Sequence, residues 1–143
     1  MGRILALDYG TKRVGVAVTD PLQIIANGLT TVPEKEIWKF LDDYFAKEKV
    51  DCLVIGYPVQ STGAGSQSLK VINPFIQKFL KTYPNIPLAQ ADERYTSKMA
   101  HQAMIDGGLK KKDRQNKEMV DTISAQIILQ WYLQSRQLMN LYK

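Results

Sequence analysis

Residues 3–20 read RILALDYGTKRVGVAVTD. An apolar run, Ile4-Leu5-Ala6-Leu7, stops at Asp8. Tyr9-Gly10-Thr11-Lys12 follows with turn chemistry, and a second apolar run extends from Val14 to Val18. Two such runs joined by a short Gly-containing turn predict a β-hairpin, with strands over 3–8 and 13–19. Asp8 then ends a buried strand directly before the turn. A carboxylate there has two readings. It caps the turn by bonding local backbone N–H groups, or it is held at the strand end for chemistry.

Working outward, residues 24–32 predict a third strand, interrupted near Asn27-Gly28. A helix is expected over 34–48, with Ile37, Leu41, Tyr44 and Phe45 on one face and Glu34 and Glu36 in its first turn, where the helix dipole favours acids. The stretch CLVIGYP, residues 52–58, is a continuous apolar strand, and unbroken hydrophobicity implies cover on both faces. Helical spacing returns over 67–81 through Leu69, Ile72, Ile76 and Phe79. Pro74 within it predicts a kink or a late start. IPLAQAD, residues 86–92, is the fifth strand. Thr96 or Ser97 can cap a helix running to about 105, which Gly107-Gly108 ends. A last helix is expected over 116–138, with Val120, Ile123, Ile127, Leu129 and Trp131 among its apolar positions.

The order is β-β-β-α-β-α-β-α-α. An antiparallel meander opens it, and helix-separated strands, expected to be parallel to the first, complete it. This is an α/β arrangement, a five-stranded mixed sheet with helices on both faces, in the order of the RNase H-like fold. The 143 residues suit a single domain over 1–143.

Composition narrows the function classes. At 45% hydrophobic residues the chain is expected to fold as a globule. No apolar stretch approaches the roughly 18 residues of a membrane span, and no secretory leader pattern is evident. Cys52 is the only cysteine, so an internal disulfide is impossible, and its apolar neighbours predict a buried thiol. A cytoplasmic protein without membrane partners is the expectation. The net charge of +5 favours a polyanionic partner. Lys110, Lys111, Lys112, Arg114 and Lys117 stand against Asp113 alone, so one segment holds most of the excess. It is either a solvated loop or a set of phosphate contacts.

Acids stand at two strand ends and on the last helix. Asp8 ends the first strand, and Asp92-Glu93 end the fifth. Asp121 lies on the last helix, where Ser124, Ala125 and Ile128 share its face. That face is small and mostly apolar, so it should pack on the sheet and leave Asp121 partly buried and in need of a partner. Each acid has a plain structural reading: a turn cap for Asp8, pairing with Arg94 for Asp92 or Glu93, a first-turn acid for Asp121. Together, three carboxylates on one side of a sheet would repel unless a cation joined them. Oxygen donors suit Mg²⁺ or Mn²⁺. One His (His101) and one Cys make a zinc site of usual composition untenable. No Ser-His-Asp or Cys-His nucleophile is evident. Acids beside a basic surface point to metal-assisted phosphodiester hydrolysis.

The motifs LALDYGTKRVGVAVTD, VIGYP with a Gly-containing loop after it, ADERYTS and VDTISAQIIL resemble, in order, those of the YqgF/RuvX family. Its members are described as pre-16S rRNA nucleases and as Holliday-junction-resolvase-like proteins. The resemblance spans about residues 3–133 and implies an RNase H-like nuclease that processes the 5′ end of pre-16S rRNA in the cytoplasm. By motif, Asp8, Glu93 and Asp121 match the family's acidic, metal-holding site. Lys12, Arg13 and Arg94 match basic positions beside it, and Lys110, Lys111, Lys112 and Arg114 extend the expected nucleic-acid contacts. Strand 52–58 ends without an acid, so Glu93 must reach from the fifth strand, about 4.8 Å further per strand spacing. The loop over 57–68 also departs from the family's form, although Gly63 and Gly65 still permit close backbone approach to a phosphate.

Other classes compete. Branched DNA is an alternative substrate to pre-rRNA. Cutting a junction usually calls for a symmetric dimer, and Trp131, Tyr132, Leu138, Met139 or Tyr142 could form a weak homodimer interface; a monomer is the other expectation. A nucleic-acid-binding module without catalysis would keep the fold and the basic loop. The hairpin also resembles the phosphate-binding motif of the actin and sugar-kinase superfamily, but that class closes two domains around its nucleotide and this chain supplies one.

Overall fold

The computed structural model describes residues 2–57, 64–92 and 117–141, with side chains described over 2–57, 69–91 and 120–136. The hairpin motif forms strands β1 (Arg3–Tyr9) and β2 (Arg13–Thr19), followed by β3 (Ala26–Pro33). A 3-10 turn at Glu34–Glu36 leads into α1 (Ile37–Lys47), then β4 (Val50–Tyr57), α2 (Ala64–Thr82), β5 (Leu88–Asp92) and the long helix α3 (Lys117–Leu141). The sheet order is β3-β2-β1-β4-β5. β1–β2 and β2–β3 are antiparallel, and β1–β4 and β4–β5 are parallel. This is the mixed sheet expected from the sequence. The helix predicted over 96–105 and the basic segment over 110–116 lie outside the described residues.

Side-chain alternation divides the sheet into two unlike faces. Leu5, Leu7 and Tyr9 of β1 join Val14, Val16, Val18, Leu53 and Ile55 in a core with Ile37 and Leu41 of α1 and Ile72, Phe75 and Phe79 of α2. The opposite face carries Ile4, Ala6, Ala17, Cys52, Val54 and Ala91, and α3 covers it with Ala125, Ile128, Leu129 and Leu133. The face under two helices thus carries only large strand residues, and the face under one mixes alanines and Cys52 with Ile4 and Val54. Small strand residues let α3 lie close to the sheet. Burying Ile128, Leu129 and Leu133 contributes about 1.5–3 kcal/mol each to that docking.

The hairpin turn is tight. Gly10 N–H donates to the Arg13 carbonyl at 2.9 Å, and a Cβ on Gly10 would lie 2.8 Å from that same oxygen. Glu34 N–H donates to the Lys12 carbonyl, and the buried Tyr9 hydroxyl donates to Glu34 Oε1 at 2.8 Å. Both bonds tie the turn to the start of the 3-10 segment.

Some boundaries differ from expectation. β3 begins at Ala26, because Ile24 and Ile25 belong to a loop organised by Asp20. The Asp20 carboxylate accepts N–H bonds from Leu22, Ile24 and Ile25, and Gln23 takes φ 60°. The interruption expected near Asn27-Gly28 is a bulge: Val16 faces Thr30 and Ala17 faces Gly28, leaving Leu29 extra. α2 runs unbroken through Pro74, and it starts at Ala64, earlier than predicted. Pro74 is exposed while its neighbour Phe75 is buried. The missing N–H to Lys70 therefore falls on the solvent side of a helix already anchored by its apolar face. Trp131 and Tyr132 are half-buried against the α3 core rather than exposed for a partner. The exposed large apolar residues among those described are Leu22, Ile24, Ile25, Leu29 and Leu80. Among the described residues, no helix is long and apolar enough to cross a membrane.

Candidate active site

The site grows from the pairing of β1 with β2. Asp8 is the Cα partner of Gly15. Ile4 and Ala6 belong to the α3-facing core, so alternation along β1 places Asp8, half-buried, on that same face. Arg13, Gly15 and Ala17 share the parity on β2. Gly15 is where α3 meets the sheet: a Cβ there would lie 2.1 Å from the Asp121 carbonyl oxygen and 3.1 Å from the Asp121 Cβ. Asp121 therefore stands directly over the cross-strand neighbour of Asp8. Directly opposed residues keep their side chains about 4.5–5.5 Å apart, so the two acids occupy one end of one face.

Asp121 lies in the second turn of α3, which begins at Lys117, past the helix's unpaired N–H groups. The first-turn reading of this acid fails for that reason. Its partner is Arg13, whose Nε donates to Asp121 Oδ2 at 2.7 Å. The side chains are 32% and 21% exposed respectively. The expectation of a partly buried carboxylate needing a partner holds, and the partner is a residue that the motif alone assigns to substrate. Lys12 is exposed in the hairpin turn.

Further contacts fix α3 along the length of β3. Thr31 and Thr122 hydroxyls bond at 2.7 Å. A Cβ on Gly28 would lie 2.7 Å from Thr122 Cγ2, so the helix also needs a glycine on β3. Gln126 Nε2 donates to the Ala26 carbonyl at 3.1 Å. Sequence reasoning passes over Gly15 and reads Gly28 only as a strand interruption, although a glycine inside a strand is also a signal of close backbone approach.

At the opposite end of the strands the acids are committed to the framework. Asp20 holds the loop above, and those backbone N–H bonds keep its carboxyl below the usual carboxylate range. Asp51 Oδ2 accepts from Gly2 N–H and Gln23 Nε2. Cys52 is buried, with Sγ 3.8 Å from the Tyr132 hydroxyl, and burial pushes its thiol pKa up. The expectation of a structural thiol fits this setting.

Asp92 ends β5 as the Cα partner of Tyr57; its side chain lies outside those described. Glu93, Arg94, Lys110, Lys111, Lys112 and Arg114 lie outside the described residues. Among the described residues no group of three His, Cys, Asp or Glu is placed to hold a metal ion. The two acids that do converge offer carboxylate oxygens, the donors that Mg²⁺ and Mn²⁺ prefer.

The RuvX family model, described as Holliday junction resolvase, matches residues 2–135. The chain belongs to the RuvX family. Relatives whose names include "pre-16S rRNA nuclease" match nearly end to end. One from Phocaeicola vulgatus is 57% identical over 136 residues, covering 95% of this chain and 98% of that one. One from Christiangramia forsetii is 58% identical over 133 residues, covering 93% and 98%. This RuvX chain also shares the fold of the protein solved as "T. thermophilus RuvC in complex with Holliday junction substrate", with TM-score 0.53 over 94% of this chain and 96% of that one. Identity to it is 9%, so the likeness speaks for the RNase H-like fold alone.

Proposed function

We propose that this RuvX-family chain is a divalent-metal-dependent nuclease that hydrolyses phosphodiester bonds and matures the 5′ end of pre-16S rRNA in the cytoplasm. One observation carries the reading: α3 rests on Gly15 and so sets Asp121 over the strand position opposite Asp8. Two carboxylates brought to one sheet end, on a chain of net charge +5, suit a cation and a polyanion together.

Asp8 and Asp121 would hold Mg²⁺ or Mn²⁺, with Glu93 as the third ligand. The parity of β5 supports Glu93 over Asp92. Ala89 and Ala91 belong to the α3 side, and Glu93 is the next residue of that parity in the sequence. When bound, the ion supplies a more acidic water and neutralises charge on the leaving oxygen. The chain itself supplies position and charge. β1 and α3 orient the two carboxylates, while Lys12, Arg13 and Arg94 favour the phosphate that is cut. Lys110, Lys111, Lys112 and Arg114 favour flanking phosphates.

The test is cleavage of an end-labelled pre-rRNA 5′ leader. Asp8→Asn and Asp121→Asn should abolish cut product while leaving RNA affinity largely intact, and EDTA should stop the wild type. Undiminished cleavage in either variant, or in excess EDTA, would overturn the reading. RNA bound but never cut by the wild type, with Mg²⁺ or Mn²⁺ present, would favour a binding module. A four-way DNA junction belongs in the same assay, because the family description names it. Paired nicks there, from a dimer, would favour the resolvase reading over pre-rRNA.

A further inference from the structure

We propose that Arg13 is the resident counter-ion of Asp121, which leaves that carboxylate when a divalent ion binds and is thereby freed for a phosphate of the nucleic acid. The inference rests on the metal-dependent reading of the site given above and adds a coupling between its two ligands. Arg13 Nε donates to Asp121 Oδ2 at 2.7 Å, the short range of a charge-assisted bond. The partners are 108 residues apart in sequence. They come from the first residue of β2 and the second turn of α3, so no shared element dictates the contact. Both side chains keep solvent access, 32% for Arg13 and 21% for Asp121, so the guanidinium can leave without crossing a packed core.

Charge explains why the pair exists and why it is replaceable. Asp8 and Asp121 share one face, and in metal-free protein a nearby cation offsets their repulsion. A divalent ion brings more charge to the same carboxylate, and two cations at contact distance repel strongly. The weaker one gives way. A guanidinium has five N–H donors and the bond to Asp121 uses one. Once displaced, it is a permanently charged, planar group matched to phosphate oxygens. The exchange makes metal and nucleic acid favour each other's binding, because a phosphate that engages Arg13 removes the metal's competitor. By linkage the effect is reciprocal.

The experiment measures Mn²⁺ affinity of the full chain without nucleic acid, by titration calorimetry, for wild type, Arg13→Gln and Arg13→Lys. Arg13→Gln should bind Mn²⁺ roughly tenfold more tightly, since the competing charge-assisted bond is gone. Arg13→Lys, which keeps the charge, should stay near wild type. An Arg13 that merely braces Asp121 gives the opposite sign, because removing a group that orients a ligand weakens metal binding. Equal or weaker Mn²⁺ affinity in a folded Arg13→Gln protein overturns the proposal and leaves the metal reading standing. Failure of the wild type and both variants to bind Mn²⁺ overturns both. A second readout needs no variant: the Arg13 Nε–Hε NMR signal of wild type should move toward the position of a free arginine on Mg²⁺ titration. A signal that stays fixed while the Asp8 and Asp121 amides shift overturns the exchange.

Discussion

Gly15→Ala is the most demanding test of how the site is assembled. The added Cβ would lie 2.1 Å from the Asp121 carbonyl oxygen and 2.5 Å from its carbonyl carbon. Ordinary contact begins near 3.4 Å, so strand and helix must separate by about 1 Å. Neither side yields easily. β2 is held between β1 and β3, and the obstructing atoms are helix backbone. The start of α3 must therefore tilt away while Ala125, Ile128 and Leu129 remain packed. Overpacking of this kind costs about 1–3 kcal/mol, which a urea titration reads directly. A displacement of about 1 Å between catalytic groups can cost roughly 10²-fold in rate, which the pre-rRNA cleavage assay reads. Gly28→Ala provides the internal comparison. Its Cβ would meet Thr122 Cγ2 at 2.7 Å, a side-chain atom with more freedom to give. Gly15→Ala should be the more damaging of the two for cleavage. A Gly15→Ala protein with wild-type stability and rate would refute the placement of α3 on β2, and with it the pairing of Asp121 with Asp8.

Three other outcomes are expected. Cys52 should react with a thiol reagent at pH 8 far more slowly in native protein than in urea, since burial raises its pKa and blocks access. Stability should fall as pH rises past 10. Burial and the Asp42 partner push the Tyr83 hydroxyl up to about 12, and burial with Glu34 raises Tyr9 as well. A raised folded pKa gives stability that is present below the unfolded value near 10 and lost toward 12. Urea titrations at pH 9 and pH 11 should show the drop, and Tyr83→Phe should reduce it. Neutralising Lys110, Lys111, Lys112 and Arg114 together should weaken RNA binding and flatten its salt dependence by roughly 0.7–0.9 in log-log slope for each phosphate no longer neutralised. An unchanged slope would make that segment a solvated loop.

Much of the fold was legible because its signals are strong and local. The hairpin shows in two apolar runs about Gly10, and β4 in an unbroken apolar run. What was missed lies partly in local size and turn chemistry and partly in partners distant in sequence. Residues 5–9 and 14–18 alternate large and small: Leu5, Leu7, Tyr9, Val14, Val16 and Val18 on one face, with Ala6, Asp8, Gly15 and Ala17 on the other. Read as hydrophobic or not, both faces look buried. Read by size, they already separate the two-helix face from the α3 face. Ile24 and Ile25 look like strand because they are apolar and β-branched. Asp20-Pro21, a turn-starting pair, outweighs them by capturing three N–H groups that a strand would need. Asp8 was legible as a candidate from its strand end, and Asp121 from the small, mostly apolar helix face it shares. Arg13 as the partner of Asp121 was not, because no local pattern links residues 108 apart.

That separation orders events during synthesis. β1, β2 and β3 follow one another directly in the chain, whereas α3 comes after β4, α2 and β5. Asp8, Arg13 and Gly15 are therefore synthesised about a hundred residues before Asp121. Asp121 arrives only when α3 docks, after β4 and β5 have extended the sheet. A chain made only through β5 holds Asp8 and Arg13 without Asp121. On the proposed metal site, one of the two described carboxylates is therefore missing until α3 closes over Gly15.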